Sequence, residues 1–395
     1  MSKNPTLEEF LAQVLPKDAK KPHALAVGEY HNHVGHLGYF SKKLKNLQTD
    51  NNLGAVGIEL PPFMEVFLWA YYDREVTGVT ADYVRRMFQA YNESEYSVNP
   101  LATADLAMKA IDNGLAFICF DARDVQANTF NEWENDIDDF KGKLEKDPTL
   151  RDRLLNLEDS EFTESDKITQ YSFVLTELET LLDKNPQYRT RLNNIEAVID
   201  AQRALRREGK MIGYDAVSAA LMAARTPQGK NALTISGADH IMGIETPPED
   251  TEGTFAQHLS EQFKTTTAFA GNSNEVREAL LDYAQGNELS SQGHPFHQPN
   301  IMVIDEDKVI TDIPESAEEN SIEAMLKEHR DIYNRKRPNL KDAPFPTEEN
   351  EIEVAKSRKN MQAPSMQEAL KNLRDNEPWA DLIANGRGEQ GAERG

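Results

Sequence analysis

Short apolar runs that stop abruptly at polar residues punctuate the chain: ALAV before Gly28, AVGIEL at 55–60, LAFICF at 115–120, ALTIS at 232–236 and TTTAFA at 265–270. Continuous runs of this length, without alternation, predict strands buried on both faces. Between them lie stretches whose apolar residues recur every three or four positions. FMEVFLWAYYDRE (63–75), ADYVRRMFQAYN (81–92) and LATADLAMKAIDNG (101–114) have this spacing, and the last closes on Gly114 as a helix-ending cap. Buried strands alternating with helices predict an α/β fold, a mostly parallel sheet covered by helices on both faces. The segment IMVIDEDKVITDI (301–313) predicts a hairpin that adds an antiparallel edge.

The alternation breaks between 126 and 210, a long, charged stretch with helical spacing. It contains an internal echo: KDPTLRDRLLNLE (146–158) and KNPQYRTRLNNIE (184–196) share seven of thirteen positions, 38 residues apart. In each copy a helical pattern runs into a Pro step and restarts, which predicts a duplicated helical hairpin. The expected organisation is an α/β domain over 1–125 and 211–313, with 126–210 a helical insertion beside it. From 314 to 395 the chain turns polar, with helical patterns at 321–336 and 365–376. Its closing ANGRGEQGAERG has almost nothing to bury and is expected to be disordered.

Charge narrows the partners. A formal net charge of −24 over 395 residues repels nucleic-acid backbones and anionic membrane surfaces. No apolar stretch approaches the roughly 18 residues needed to span a bilayer, and MSKNPTLEEFLAQVL has no secretory h-region. The expectation is a cytoplasmic protein, or one exported without a Sec signal. The single cysteine, Cys119, excludes an internal disulfide and reads as a buried strand thiol.

In a parallel α/β sheet, ligands bind beyond the carboxyl ends of the strands, so the residues that close each run are the candidates for chemistry. The first run closes in GEYHNHVGH (28–36), which holds one carboxylate and three of the chain's nine histidines. Glu29 and His31 are two apart, so an extended backbone points both the same way, and His33 is expected to face solvent. The second run closes on Glu59 in GIELPP and the third on Asp121 and Arg123 in CFDAR. The fourth closes on Asp239 and His240 in SGADHIMG, where Gly237 permits a tight turn. A Glu at a strand end is often only a cap, and a lone His is often structural. Four such ends at one sheet edge predict a site, with Glu29, His31, Glu59 and His240 in one cleft.

These motifs resemble a known superfamily. GEYHNHVGH is similar to the G-E-x-H-(five)-H opening of ChaN-like haem-binding uptake proteins, whose superfamily includes the Tiki proteases and the erythromycin esterases. GIEL resembles the strand that follows it, and LMAARTPQGKNALTISGADHIMGIETP resembles the closing helix, strand and G-x-x-H. The match covers about 20–125 and 212–248. The resemblance implies an α/β core with Glu29, His31, Glu59 and His240 as the shared polar cluster and His36 as a further match. It also implies several functions on one scaffold: metal-dependent proteolysis, lactone hydrolysis and haem binding.

The leading expectation is a hydrolase acting on a small-molecule or peptide substrate. Glu29, His31, Glu59 and His240 can hold a divalent metal with an open position for water. Without a metal, His31 or His240 serves as general base, a Glu orients its ring, and Arg123 stabilises an oxyanion. No H-E-x-x-H, G-x-S-x-G or Walker pattern is present, which disfavours the zincin, α/β-hydrolase and P-loop classes. The alternative is a binding protein for haem or a similar planar cofactor, with Tyr30, His33, His36 and Met242 near the site as axial donors. A third reading is a non-catalytic effector whose helical insertion does the work.

Overall fold

A computed structural model describes residues 4–29, 35–91, 99–122, 138–156, 167–210, 212–242, 253–286, 300–311, 317–328, 356, 358–377 and 379–380, leaving aside the side chains of 167–168, 239, 242 and 281–286. Each apolar run forms a strand. They are β1 (His23–Glu29), β2 (Leu53–Ile58), β3 (Ala116–Cys119), β4 (Asn231–Gly237) and β5 (Lys264–Gly271), followed by β6 (Asn300–Val303) and β7 (Lys308–Ile310). They make one sheet in the order β3-β2-β4-β1-β5-β6-β7. All neighbours are parallel except β6 and β7, which pair antiparallel as the hairpin at one edge. Every residue of β1, β2, β3 and β4 is buried, as expected of strands covered on both faces.

The connections explain the two layers of helices. Helices α1 (Leu7–Val14) and α2 (Gly35–Asp50) flank β1 in the chain. Between β2 and β3 come α3 (Glu65–Tyr72), α4 (Ala81–Ala90) and α5 (Pro100–Asp112). From β1 to β2 and on to β3 the chain steps one way across the sheet. From β3 to β4 and on to β5 it steps back. Right-handed crossovers therefore place the two sets of helices on opposite faces. One face holds α2 packed on α5. The other holds α9 (Tyr214–Arg225), α10 (Asp239–Met242) and α11 (Phe255–Leu259), with α9 packed on α11.

The charged stretch before α9 supplies α6 (Leu150–Asn156), α7 (Lys167–Lys184) and α8 (Pro186–Arg207). In both copies of the internal echo one helix ends at the Asp147-Pro148 or Asn185-Pro186 step and another follows, with Pro186 in the first turn of α8. These helices carry more apolar surface than their charge suggests. Phe173, Leu178, Tyr188, Ile195 and Ile199 are buried in the same core as the sheet. Tyr188 donates to Asp73 at 2.7 Å beyond α3, and Glu177 accepts from Tyr83 of α4 and from both Nε and Nη2 of Arg151.

Helix α12 (Ser273–Gly286) follows β5, and α13 (Pro364–Asp375) lies in the polar C-terminal region. Helix α13 buries Met366, Leu370 and Leu373 and packs on α8 and α9. Just beyond it, Trp379 is 1% exposed. The closing ANGRGEQGAERG segment lies outside the described residues. Among the described residues, no helix is long and apolar enough to cross a membrane.

Candidate functional site

The site is built at the C-terminal edge of β2, β4 and β1, and side-chain parity decides its layout. A Cβ placed on Gly57 would meet Met222 of α9, and one placed on Gly28 would meet Ile241 of α10 and the Ala238 backbone. Both glycines therefore face the α9 layer. Side chains alternate along a strand. Glu59, two residues beyond Gly57, returns to the α9 face, whereas Glu29, one residue beyond Gly28, faces the α2 layer. Glu29 pairs with Gly237 in the register of β1 with β4, so Glu29 and Glu59 flank β4, their backbones about 10 Å apart.

Each carboxylate meets its own histidine. On the α2 face, Nε2 of His36 in the first turn of α2 donates to Oε2 of Glu29 at 2.5 Å. Both side chains are sealed, at 0% and 1% exposure. On the α9 face, His240 stands between two carboxylates. Its Nδ1–H donates to Oδ1 of Asp215 at 2.7 Å, and its Nε2 lies 3.1 Å from Oε1 of Glu59. The His240 side chain is 26% exposed, so this centre, unlike the first, reaches solvent.

Both acids are themselves held by backbone donors. Gly237 N–H donates to Oε2 of Glu59 at 2.8 Å, and Phe255 N–H donates to Oδ2 of Asp215 at 2.9 Å. The ring of Phe255 stacks on Phe120 beside them, with centroids 4.6 Å apart. Burial works against a charged imidazole at 240, but the carboxylates of Asp215 and Glu59 outweigh it and hold the pKa well above the ordinary histidine value. The two carboxylates thus favour the imidazolium, which can donate from both nitrogens.

Of the residues singled out from sequence, the structure joins Glu59 to His240 and Glu29 to His36. His31, His33, Tyr30 and Arg123 lie outside the described residues, as does the side chain of Met242. Asp121 is buried beyond β3, its amide donating to the carbonyl of Leu60. Asp215 was not foreseen. Its signal was available: a helix leading into a parallel strand starts at that strand's carboxyl-end edge, so an acid in the first turn of α9 belongs to the site. Among the described residues, no three His, Cys, Asp or Glu side chains are grouped so as to hold a metal ion. No protein-family model, curated protein or solved structure matches the chain.

Proposed function

We propose that the chain is a hydrolase of the kind suggested by its resemblance to the ChaN, Tiki and erythromycin esterase superfamily, with Glu59, His240 and Asp215 as its working groups. The observation that carries this reading is a solvent-reaching imidazole clamped between two backbone-anchored carboxylates at the edge where α/β sheets bind ligands. Such a unit separates the tasks of acid and base. Asp215 fixes the ring through Nδ1 and leaves Nε2 as the working end. When a substrate separates His240 from Glu59, the Nε2–H is placed to protonate a leaving group. The freed Glu59 carboxylate is placed to accept a proton from an attacking water.

The same pair fits part of a metal centre. Nε2 of His240 and Oε1 of Glu59 converge, and Asp215 behind the ring is the carboxylate partner that metal-bound histidines commonly have. A third protein donor must come from outside the described residues, where His31 lies. A divalent ion held there would supply a water acidified toward neutrality. Of the candidate haem donors, only the side chain of His36 is described, and it is sealed against Glu29.

The test is a screen of ester and peptide substrates on protein purified without chelator, alongside His240→Ala and metal analysis. The reading expects turnover that His240→Ala abolishes while the fold is retained. Turnover unaffected by that change would overturn it.

A further inference from the structure

We infer that helix α13, with Glu377 and Trp379 beyond it, is a strap that positions Asp215 against His240 by holding the far end of α9. This rests on the reading of Glu59, His240 and Asp215 as the working centre. Helix α9 carries Asp215 in its first turn and Arg225 as its last residue. It spans about 17 Å as one rigid rod, so its two ends move together.

The Arg225 end is fixed in a dry ring of bonds. Glu65, the first residue of α3, accepts from Nη1 and Nη2 of Arg225 at 2.7 Å each. Glu377 accepts from Nε at 3.0 Å. The two glutamates are tied together from the tail, because Trp379 Nε1 donates to Glu65 at 3.2 Å. Glu65 also accepts from the Cys119 amide of edge strand β3 at 2.7 Å. The guanidinium and the Glu65 carboxylate are both fully buried.

The tail is therefore a structural part of the ring. It contributes one of the two acids on Arg225 and one of the donors on Glu65. Helix α13 lies along α8 and α9, and the Trp379 ring meets Tyr72 edge-on with centroids 6.4 Å apart. The bonds that Glu65, Glu377 and Trp379 make here join Arg225, β3 and one another, not His240, so they act through α9 as positioning residues. The contact they tune is sensitive. The Asp215–His240 bond is 2.7 Å long, and a shift of about 1 Å takes such a bond outside hydrogen-bonding range. The anchor of Asp215 on Phe255 limits how far it can move, so release of the strap detunes the centre without dismantling it.

The test uses the full chain with Glu377→Ala, Glu377→Gln and Trp379→Phe. Two readouts need no substrate: hydrogen exchange of the α9 amides, and the low-field proton resonance of His240 Nδ1–H, assigned by its loss in Asp215→Asn. Glu377→Ala is expected to speed α9 exchange about tenfold, the scale of one charge-assisted hydrogen bond, and to shift or broaden the resonance. Glu377→Gln keeps an acceptor for Arg225 Nε and is expected to behave like the native chain. Native exchange and a native resonance in Glu377→Ala would overturn the strap. If that variant fails to fold, Trp379→Phe, which removes only the bond to Glu65, decides by the same two readouts. A silent substrate screen would overturn the hydrolase reading while these two measurements still test the strap.

Discussion

Replacing Arg225 with methionine tests the buried ion-pair ring that joins α9 to Glu65 and Glu377. Met matches much of the arginine stem but removes every bond to Glu65 and Glu377. Two buried carboxylates then face each other with no cation between them. Breaking a buried pair by removing one partner costs about 3–5 kcal/mol, set against a total stability of about 5–15 kcal/mol for a typical protein. The loss is expected to depend on pH, because one of the two acids must then keep a proton. In the native chain, burial already pushes the Glu377 carboxyl up to about 7, although Arg225 pulls it down. Without the arginine that value rises further.

An acid whose folded pKa is raised makes the folded state bind more protons than the unfolded one. Stability then falls as pH climbs from the unfolded value through the folded one. The native chain keeps the same proton below about pH 7, so the penalty of Arg225→Met should be smallest below that pH. It should grow toward about pH 8, by at most about 1.4 kcal/mol per pH unit for each extra proton. Urea unfolding at several pH values, with the slope checked for two-state behaviour, measures it. A loss below about 1 kcal/mol at neutral pH, or a penalty that does not change with pH, would refute the reasoning.

His240 gives a dependence of the same sign at the alkaline end. Burial opposes its charge, but Asp215 and Glu59 hold the imidazolium, so its contacts stabilise the fold through neutral pH and are lost as pH rises through the raised pKa. His240→Gln should flatten the alkaline arm of the stability profile, and an unchanged arm contradicts the pairing. His36→Ala leaves Glu29 without its imidazole in a sealed pocket and should cost about 2–4 kcal/mol in chemical denaturation; a cost under about 1 kcal/mol would show that the pair carries little of the fold. Removing residues 130–208 deletes Phe173, Tyr188 and Ile195 from the shared core. That deletion should abolish cooperative unfolding in calorimetry, and a sharp transition would contradict it.

The sheet was legible because strands buried on both faces have no polar face to disguise them. Each continuous apolar run became a strand, and 301–313 supplied the antiparallel edge. The partners of the site residues were harder to read. Glu29 and Glu59 look equivalent in sequence, but which face each addresses depends on parity relative to Gly28 and Gly57, which a list of strand ends does not contain. Asp215 and Glu377 are ordinary acids in charged surroundings. Asp215 gains its role from the helix start that brings it to the sheet edge, and Glu377 from a contact 152 residues away in sequence. Long-range ion pairs of this kind leave no periodic trace. Neither does the depth to which α7 and α8 enter the core.

The most direct measurement of the central claim compares His240→Ala and His36→Ala for turnover of a substrate found in the ester and peptide screen, with each variant first confirmed as folded. The two histidines lie at the same sheet edge, each paired with a strand-end glutamate, but only the His240 centre reaches solvent. The account predicts that His240→Ala loses at least about a thousandfold in kcat, the scale of a lost acid–base group, while His36→Ala loses stability and keeps its turnover. Full turnover in His240→Ala, with activity lost in a folded His36→Ala, would contradict it.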